Sequence, residues 1–323
     1  VGLAVLVVAA LVAGGVFVAG RGGAKHNPGV GAQHNPVPKP TVSATIPVLA
    51  RADHPAFAFG ATFVTESTSK RLARIDPNGN RVTQLVTLPH TPHAIGATSE
   101  ALWVSSADAP TIMRVRIGAD PSQTSVTDVP IGAIGADLTT GAGAVWATDA
   151  KLGNLLRIDP STNKVTATIP VGATPDSVIV DQNGVWVANR LPQGTVKRID
   201  PATNTVVATI PVGAEPDQVA AGAGSVWSAN RADGTISRID PATNQVVARI
   251  SVGGHPKSVI AGAGAIWVSE SSGNTVLRID PATNTVTATV TVGQRPEHGA
   301  VGAGSIWIAN PGDDTISRIE PGT

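Results

Sequence analysis

Trp103, Trp146, Trp186, Trp227, Trp267 and Trp307 are the chain's six tryptophans, and they fall 43, 40, 41, 40 and 40 residues apart. Long stretches of sequence recur with them: "VWVANRLPQGTVKRIDPATNTVVATIPVG" at 185–213 returns as "VWSANRADGTISRIDPATNQVVARISVG". A fixed period of this length restricts a chain to solenoids, propellers or arrays, whose units leave faces that only their neighbours can cover. A seventh copy carries Phe63 in the aromatic slot. "TIPVLARAD" (45–53) matches "TIPVGATPD" (168–176), and Phe63 follows Ile46 by the same 17 residues that separate Trp186 from Ile169.

Each unit reads as four short strands. Around Trp186 these are "DSVIV", "VWVAN", "TVKRI" and "TVVATIPV", joined by the turn "DQNG", the loop "RLPQG" and the turn "DPATN". In the last turn Asp200 can accept backbone N–H bonds, Pro201 presets φ and Asn204 tolerates a left-handed conformation. The second strand is apolar at successive positions, as expected where both faces of a sheet are covered. The first strand is poor in bulk ("QVAAGAG", "SVIAGAG"), which suits strands crowded around an axis. The fold predicted over residues 41–323 is therefore an all-β, seven-bladed propeller of four-stranded blades. The last unit stops after its third strand, "TISRIEPGT", while "TVSATIPV" (41–48) is a fourth strand with no unit before it. Completing the last blade with this N-terminal strand closes the ring and removes an open edge. The buried Trp ladder is read as core, not as a binding platform.

The first forty residues follow another pattern. Residues 1–20, "VGLAVLVVAALVAGGVFVAG", carry no charge. Twenty residues of helix rise about 30 Å, the thickness of a bilayer's hydrocarbon core. A transmembrane anchor is predicted there, which would hold the propeller outside the cytoplasm. The alternative is the core of a cleaved signal peptide and a secreted product, although such cores run about 7–15 residues. Residues 21–40, "RGGAKHNPGVGAQHNPVPKP", read as a Pro/Gly-rich linker. Its two His, His26 and His34, belong to a bland spacer.

Lys plus Arg equals Asp plus Glu, so the net charge is zero. That balance argues against a nucleic-acid partner, which calls for a basic surface. The chain has no cysteine, so disulfides and thiolate metal sites are excluded. It also has no nucleophile elbow, phosphate loop or His-x-x-x-His helix.

The "RIDPATN" turns hardly vary between units, whereas the loops after the second strand do: "ESTSKR", "SADAPT", "DAKLGN", "NRLPQG", "NRADG", "ESSGN" and "NPGDD". In a four-stranded blade these loops share one rim with the blade-to-blade crossings. That face is the candidate binding surface. Two polar positions recur on it. One lies three residues after the aromatic: Glu66, Ser106, Asp149, Asn189, Asn230, Glu270 and Asn310. The other opens the first strand: Asp53, His93, Ala136, Asp176, Asp217, Lys257 and Glu297, always 13 residues earlier. Antiparallel pairing predicts that Asp53 meets Glu66 and that Lys257 meets Glu270. Two facing carboxylates call for a shared proton or a cation, so Asp53 and Glu66, with His298, form a candidate divalent-metal set. Ring closure adds that Asp53, His54, Glu66, His93, Glu297 and His298 share one arc of the channel mouth. No cofactor is required for binding alone.

The second-strand motifs "WVAN" (186–189), "WSAN" (227–230) and "WIAN" (307–310), followed by "TISRIDPATNQVVARI", resemble the YVTN-repeat β-propeller family over residues 41–323. That resemblance implies the fold and leaves the function open. More loosely, the chain is similar to the streptogramin B lyases, seven-bladed propellers whose repeats carry a Trp and sometimes a Glu three residues later. This second resemblance implies metal-assisted acid–base elimination at the channel mouth, with His93, Glu270 and His298 as the residues to carry it. The Trp-x-x-Glu pattern survives here only at Trp267–Glu270, and the first-strand partner there is Lys257, not His. The expectation is a monomeric, extracytoplasmic, membrane-tethered propeller that binds a protein, small molecule or polymer through its variable rim. The alternative is a lyase.

Overall fold

Strands within each repeat pair in chain order, because each is joined to the next by a tight turn or short loop. A computed structural model describes residues 38–323 except 119, 135–136, 191–192 and 323. It contains seven four-stranded antiparallel sheets. The fourth blade is representative: Pro175–Asp181 is innermost, followed outward by Gly184–Asn189, Thr195–Asp200 and Thr205–Pro211. The seventh blade consists of Gly299–Gly302, Ser305–Asn310 and Thr315–Glu320, and its outer strand is Thr41–Pro47 from the other end of the chain. That strand runs antiparallel to Thr315–Glu320, with Ile46 opposite Ile316. The closure predicted from the sequence is present. Among the described residues no helix is long and apolar enough to cross a membrane. The anchor expected over 1–20 and most of the linker over 21–40 lie outside them.

Burial follows position in the blade. Every residue of the second strand Gly184–Asn189 is buried, and the same holds in all seven sheets. The outer strands alternate and bury one residue near their end, such as Ile46, Ile169 or Ile210. Six of the seven outer strands also carry a register shift opposite the third strand. Such bulges twist an exposed edge away from pairing with another chain. The innermost strands are small because they touch across blades. A Cβ on Gly222 would fall 2.4 Å from the Ala261 Cβ of the next blade.

The repeat's most regular feature is an arginine clamp. Each Trp stands opposite an Arg on the third strand, and the guanidinium lies over the indole at 5.0–6.0 Å in six blades. In five of these blades the same Arg then reaches the turn of the following blade. Arg157 Nη1 donates to the Pro201 carbonyl and Asn204 Oδ1, both at 3.0 Å. Arg198 does so to Pro241 and Asn244, and Arg238 to Pro281 and Asn284. The turn Asn holds a left-handed backbone, with φ of 57° at Asn204. Asp200 braces the turn by accepting the Ala202 N–H at 2.8 Å. Arg318 of the seventh blade clamps Pro77 and Asn80 of the first, so the device also crosses the seam.

Trp227 is fully buried, and its indole N–H donates to the Gly222 carbonyl at 3.0 Å. Trp227→Ala should cost about 3–5 kcal/mol, the range for truncating a core aromatic. Guanidinium unfolding of the variant measures it. A loss below about 1 kcal/mol would show that the slot is not core.

Candidate functional site

The axial mouth of the ring is built by the residues that open the innermost strands. On five of these strands a bulge precedes regular pairing. In the sixth blade Pro256 stands opposite Glu270, and the next pair is Ser258 with Ser269. Lys257 is skipped by the ladder and turns toward the axis. The expected Lys257–Glu270 contact is therefore replaced: Lys257 Nζ lies 2.9 Å from Asp217 Oδ2 of the preceding blade. In the first blade Ala52, not Asp53, stands opposite Glu66. The facing carboxylates expected from the sequence do not form.

The two polar rows have separate roles. The row three residues after the aromatic braces its own loop. Glu66, fully buried, accepts the Leu49 N–H at 3.1 Å and the Ser69 hydroxyl at 2.8 Å. Asp149 accepts the N–H groups of Lys151 and Leu152. Asn230 donates to Thr235 and Ser237, and Asn310 to Thr315 and Ser317. Asn189 donates weakly to the Val187 carbonyl at 3.5 Å. Glu270 accepts the N–H of His255, Ser272 and Gly273 and the Ser272 hydroxyl. Burial opposes its charge, but the Ser272 hydroxyl and these backbone donors win and lower its pKa. A carboxylate so engaged and so stabilised is a poor proton carrier, which weighs against the catalytic part that the lyase resemblance implies for Glu270.

Of the first-strand row, His93, Asp176, Asp217 and Lys257 face the channel. A polar well of about 70 Å³ opens there, lined by His54, His93, Asp137, Asp176, Ser177, Asp217, Gln218, Lys257 and His298. Asp217 is its anionic centre, with Arg190 Nη2 at 2.6 Å on one side and Lys257 on the other. Arg190 also lies 3.6 Å from Asp176. Burial, then a hydrogen bond to Asp217, pushes the Asp176 carboxyl up to about 7. Asp53 and Glu297 stay outside the well. Arg51 bridges them across the seam, 3.7 Å from Asp53 and 3.9 Å from Glu297, and Arg295 lies 2.9 Å from Glu297.

Of the expected arc, the structure gathers the three imidazoles. His54 stacks on His298 with ring centroids 3.6 Å apart, and His93 lies 4.6 Å from His54. Burial holds His54 and His298 well below the usual imidazole range, helped by repulsion from His298, His93 and Lys257 at His54 and from Lys257, His93 and Arg51 at His298. The expected metal set of Asp53, Glu66 and His298 is not assembled, since Glu66 is tied beneath its own loop. Among the described residues no group of three His, Asp or Glu is preset to hold a metal ion.

The sequence reading missed Asp137, Ser177 and Gln218, which sit one residue beyond the first-strand row, in register with His54 and His298. Each joins its blade to the next. Asp137 accepts the Val178 N–H at 2.9 Å, Ser177 that of Val219 at 3.4 Å, and Gln218 that of Val259 at 3.1 Å. Burial raises the Asp137 pKa against the pull of these donors. The available signal was the offset: counting 12 residues back from the second-strand row, not 13, selects this belt.

Asp176 supplies a pH test. Its folded-state pKa of about 7 lies above its unfolded value, so the native state holds the extra proton. Its contribution to stability is complete below the unfolded carboxylate range near pH 4 and is lost as pH rises toward 7. Asp176→Asn removes that titration. The stability of the variant relative to wild type should rise between pH 4 and 7 and then level off. A difference that stays flat across this range would contradict the assignment.

No protein-family model and no curated protein sequence matches the chain. Solved structures do share its architecture. A streptogramin B lyase superimposes with a TM-score of 0.73 at 17% identity, over 84% of this chain and 93% of that one. The virginiamycin B lyase of Staphylococcus aureus gives 0.76 at 15% identity, over 87% and 99%. Hydrazine synthase of Kuenenia stuttgartiensis gives 0.72 at 14% identity, over 84% and 95%. At these identities the likeness is one of fold: the chain is a seven-bladed propeller of the architecture that streptogramin B lyases share.

Proposed function

We propose that this chain is a binding module of the YVTN-repeat type, tethered outside the cytoplasm through residues 1–20, which recognises a protein, polymer or small molecule with its variable loop face. The observation that carries the reading is the division of labour between the two rims. The invariant turns are taken up by the arginine clamp, as Asn204 is by Arg157. The opposite rim carries the varied loops and presents large apolar side chains to solvent: Leu49 at 65% exposure, Ile134 at 52% and Leu152 at 67%. Binding residues concentrate on such loops when a rigid scaffold holds them. Screening the purified chain against cell-wall polymers, peptides and secreted proteins tests this. Ligand binding should fall at least tenfold in Ile134→Asp/Leu152→Asp and stay unchanged in Val207→Asp on an outer strand. Binding lost only in the outer-strand variant would refute the assigned face.

A second reading is an acid–base lyase. It rests on the three imidazoles at the mouth and on the fold shared with streptogramin B lyases. His93 and His298 would exchange the proton, with Glu270 left to position its loop. Ring opening of a macrocyclic depsipeptide, abolished by His298→Ala, would support it. Turnover equal to the uncatalysed rate, with and without divalent ions, would end it.

A further inference from the structure

The arginine clamp is broken between the first and second blades. Arg74 stands opposite Phe63, as the other third-strand arginines stand opposite their Trp. In the second blade, however, residues 117–124 join Thr111–Arg116 to Ser125–Pro130, where Pro201–Asn204 suffice between Asp200 and Thr205. That longer connection carries no asparagine. Among the described residues the arginines that bond the following blade are Arg114, Arg157, Arg198, Arg238 and Arg318, and the Arg74 guanidinium has no acceptor. Beside it a hollow of about 400 Å³ opens between the two blades, lined by Phe59, Arg74, Ser99, Glu100, Ile117 and Gly118. It lies on the rim of the tight turns, away from the varied loops. Phe59 is the second departure. It sits in the turn between Ala52–Ala58 and Ala61–Glu66, where four other repeats place Ala142, Ala223, Ala263 and Ala303 at φ of 49–50°. Phe59 takes the same left-handed backbone, φ 50°, and leaves its ring 42% exposed. A bulky side chain is strained in that region, and so exposed a ring returns little packing. An exposed aromatic beside an unmatched guanidinium points to a ligand that uses both.

We propose that this hollow binds an apolar carboxylate, its acid group held by Arg74 and its aromatic or branched aliphatic group laid against Phe59 and Ile117. Elsewhere in the ring a guanidinium in this position meets two oxygen acceptors at once, both 3.0 Å from Nη1 in the case of Arg157. A carboxylate supplies two oxygens from a single group, and its hydrogen bonds to arginine are charge-assisted. Glu100 does not compete for Arg74, because its Oε2 is held by Arg114 at 3.3 Å and by Arg116 at 3.4 Å. Three guanidinium groups against one carboxylate make the surroundings cationic, which favours an anion. The Phe59 ring is backed by buried Phe63, edge-on with centroids 6.4 Å apart. The volume falls in the range of small-ligand clefts, roughly 300–1,000 Å³. A free organic acid and the C-terminal residue of a peptide present the same chemistry here. The site is separate from the axial mouth and from the varied loops, and it rests on neither functional reading.

Calorimetric titration of the full chain with N-acetyl-phenylalanine and with hydrocinnamate tests the site. Saturable binding of a single molecule is expected, and the tighter of the two acids tells a peptide end from a free acid. N-acetyl-phenylalanine amide, which lacks the charge, should give no saturable heat. Arg74→Gln and Phe59→Asn should each weaken binding about tenfold or more. Asn tolerates the left-handed backbone, so the second variant removes the ring and keeps the turn. Ile134→Asp/Leu152→Asp, on the opposite rim, should leave binding unchanged. Should Arg74→Gln fold poorly, the acid should shift the amide resonances of Phe59, Glu100 and Gly118 in the wild-type chain. Absence of saturable binding by both acids, equal binding of the amide, full binding by Phe59→Asn, or resonance shifts confined to the axial mouth or the varied loops would each overturn the proposal.

Discussion

In five blades the guanidinium of the third-strand arginine holds two blades at once. Its flat face covers the tryptophan of its own sheet, and its edge donates to a proline carbonyl and an asparagine carboxamide of the next sheet, as Arg198 does over Trp186 and onto Pro241 and Asn244. Arginine suits this task because it stacks on aromatics and forks two donors from one rigid plane. The recurrence of "RIDPATN" follows. The Arg and the Asn of one repeat serve different interfaces, so neither can change without loosening a neighbour. The clamp fails where the chain interrupts the pattern. Arg278 of the sixth blade faces a seventh blade in which Pro321 and Gly322 follow the third strand in place of the usual turn, and it donates to Thr287 of its own sheet instead.

A second girdle runs around the axis. Asp137, Ser177 and Gln218 pass a hydrogen bond from blade to blade, and Lys257, Asp217 and Arg190 lay an ion-pair chain over them. With both girdles in place the ring is rigid, and the varied loops are free to differ. The mouth then has two chemically distinct halves. One is a charged half, in which anions and cations answer each other. The other is an imidazole half at the seam, where the hydrogen-bond belt is open.

Much of this was legible in the sequence. The Trp spacing and the unmatched "TVSATIPV" strand specify blade number and closure, because a repeat that lacks a fourth strand and a fourth strand that lacks a repeat leave little choice. Asn204 and its equivalents announce their left-handed turns. The site was legible only in part. Predicting that Lys257 meets Glu270 assumed an unbroken ladder, whereas a single bulge turns Lys257 onto the axis and leaves Glu270 facing Pro256. A proline opens that bulge in four blades, as Pro256 does here, and was the signal available. Contacts between neighbouring units, such as Asp137 to Val178, were hidden, because similarity between repeats shows what each unit shares and not what it lends to the next. The transmembrane anchor expected over residues 1–20 falls outside the described residues.

The ring depends most on the clamp at the seam, where Arg318 joins the last repeat to Asn80 of the first at 3.0 Å. A double-mutant cycle with Arg318→Met and Asn80→Gly measures it directly. Met keeps the packing over Trp307, and Gly keeps the left-handed backbone at φ 48°. Guanidinium unfolding should give a coupling energy of about 1–3 kcal/mol, the scale of a partly buried charge-assisted hydrogen bond. Arg278→Met combined with Asn80→Gly should be additive. Additivity within about 0.5 kcal/mol for the Arg318–Asn80 pair would mean that the ring is not held at its seam in this way.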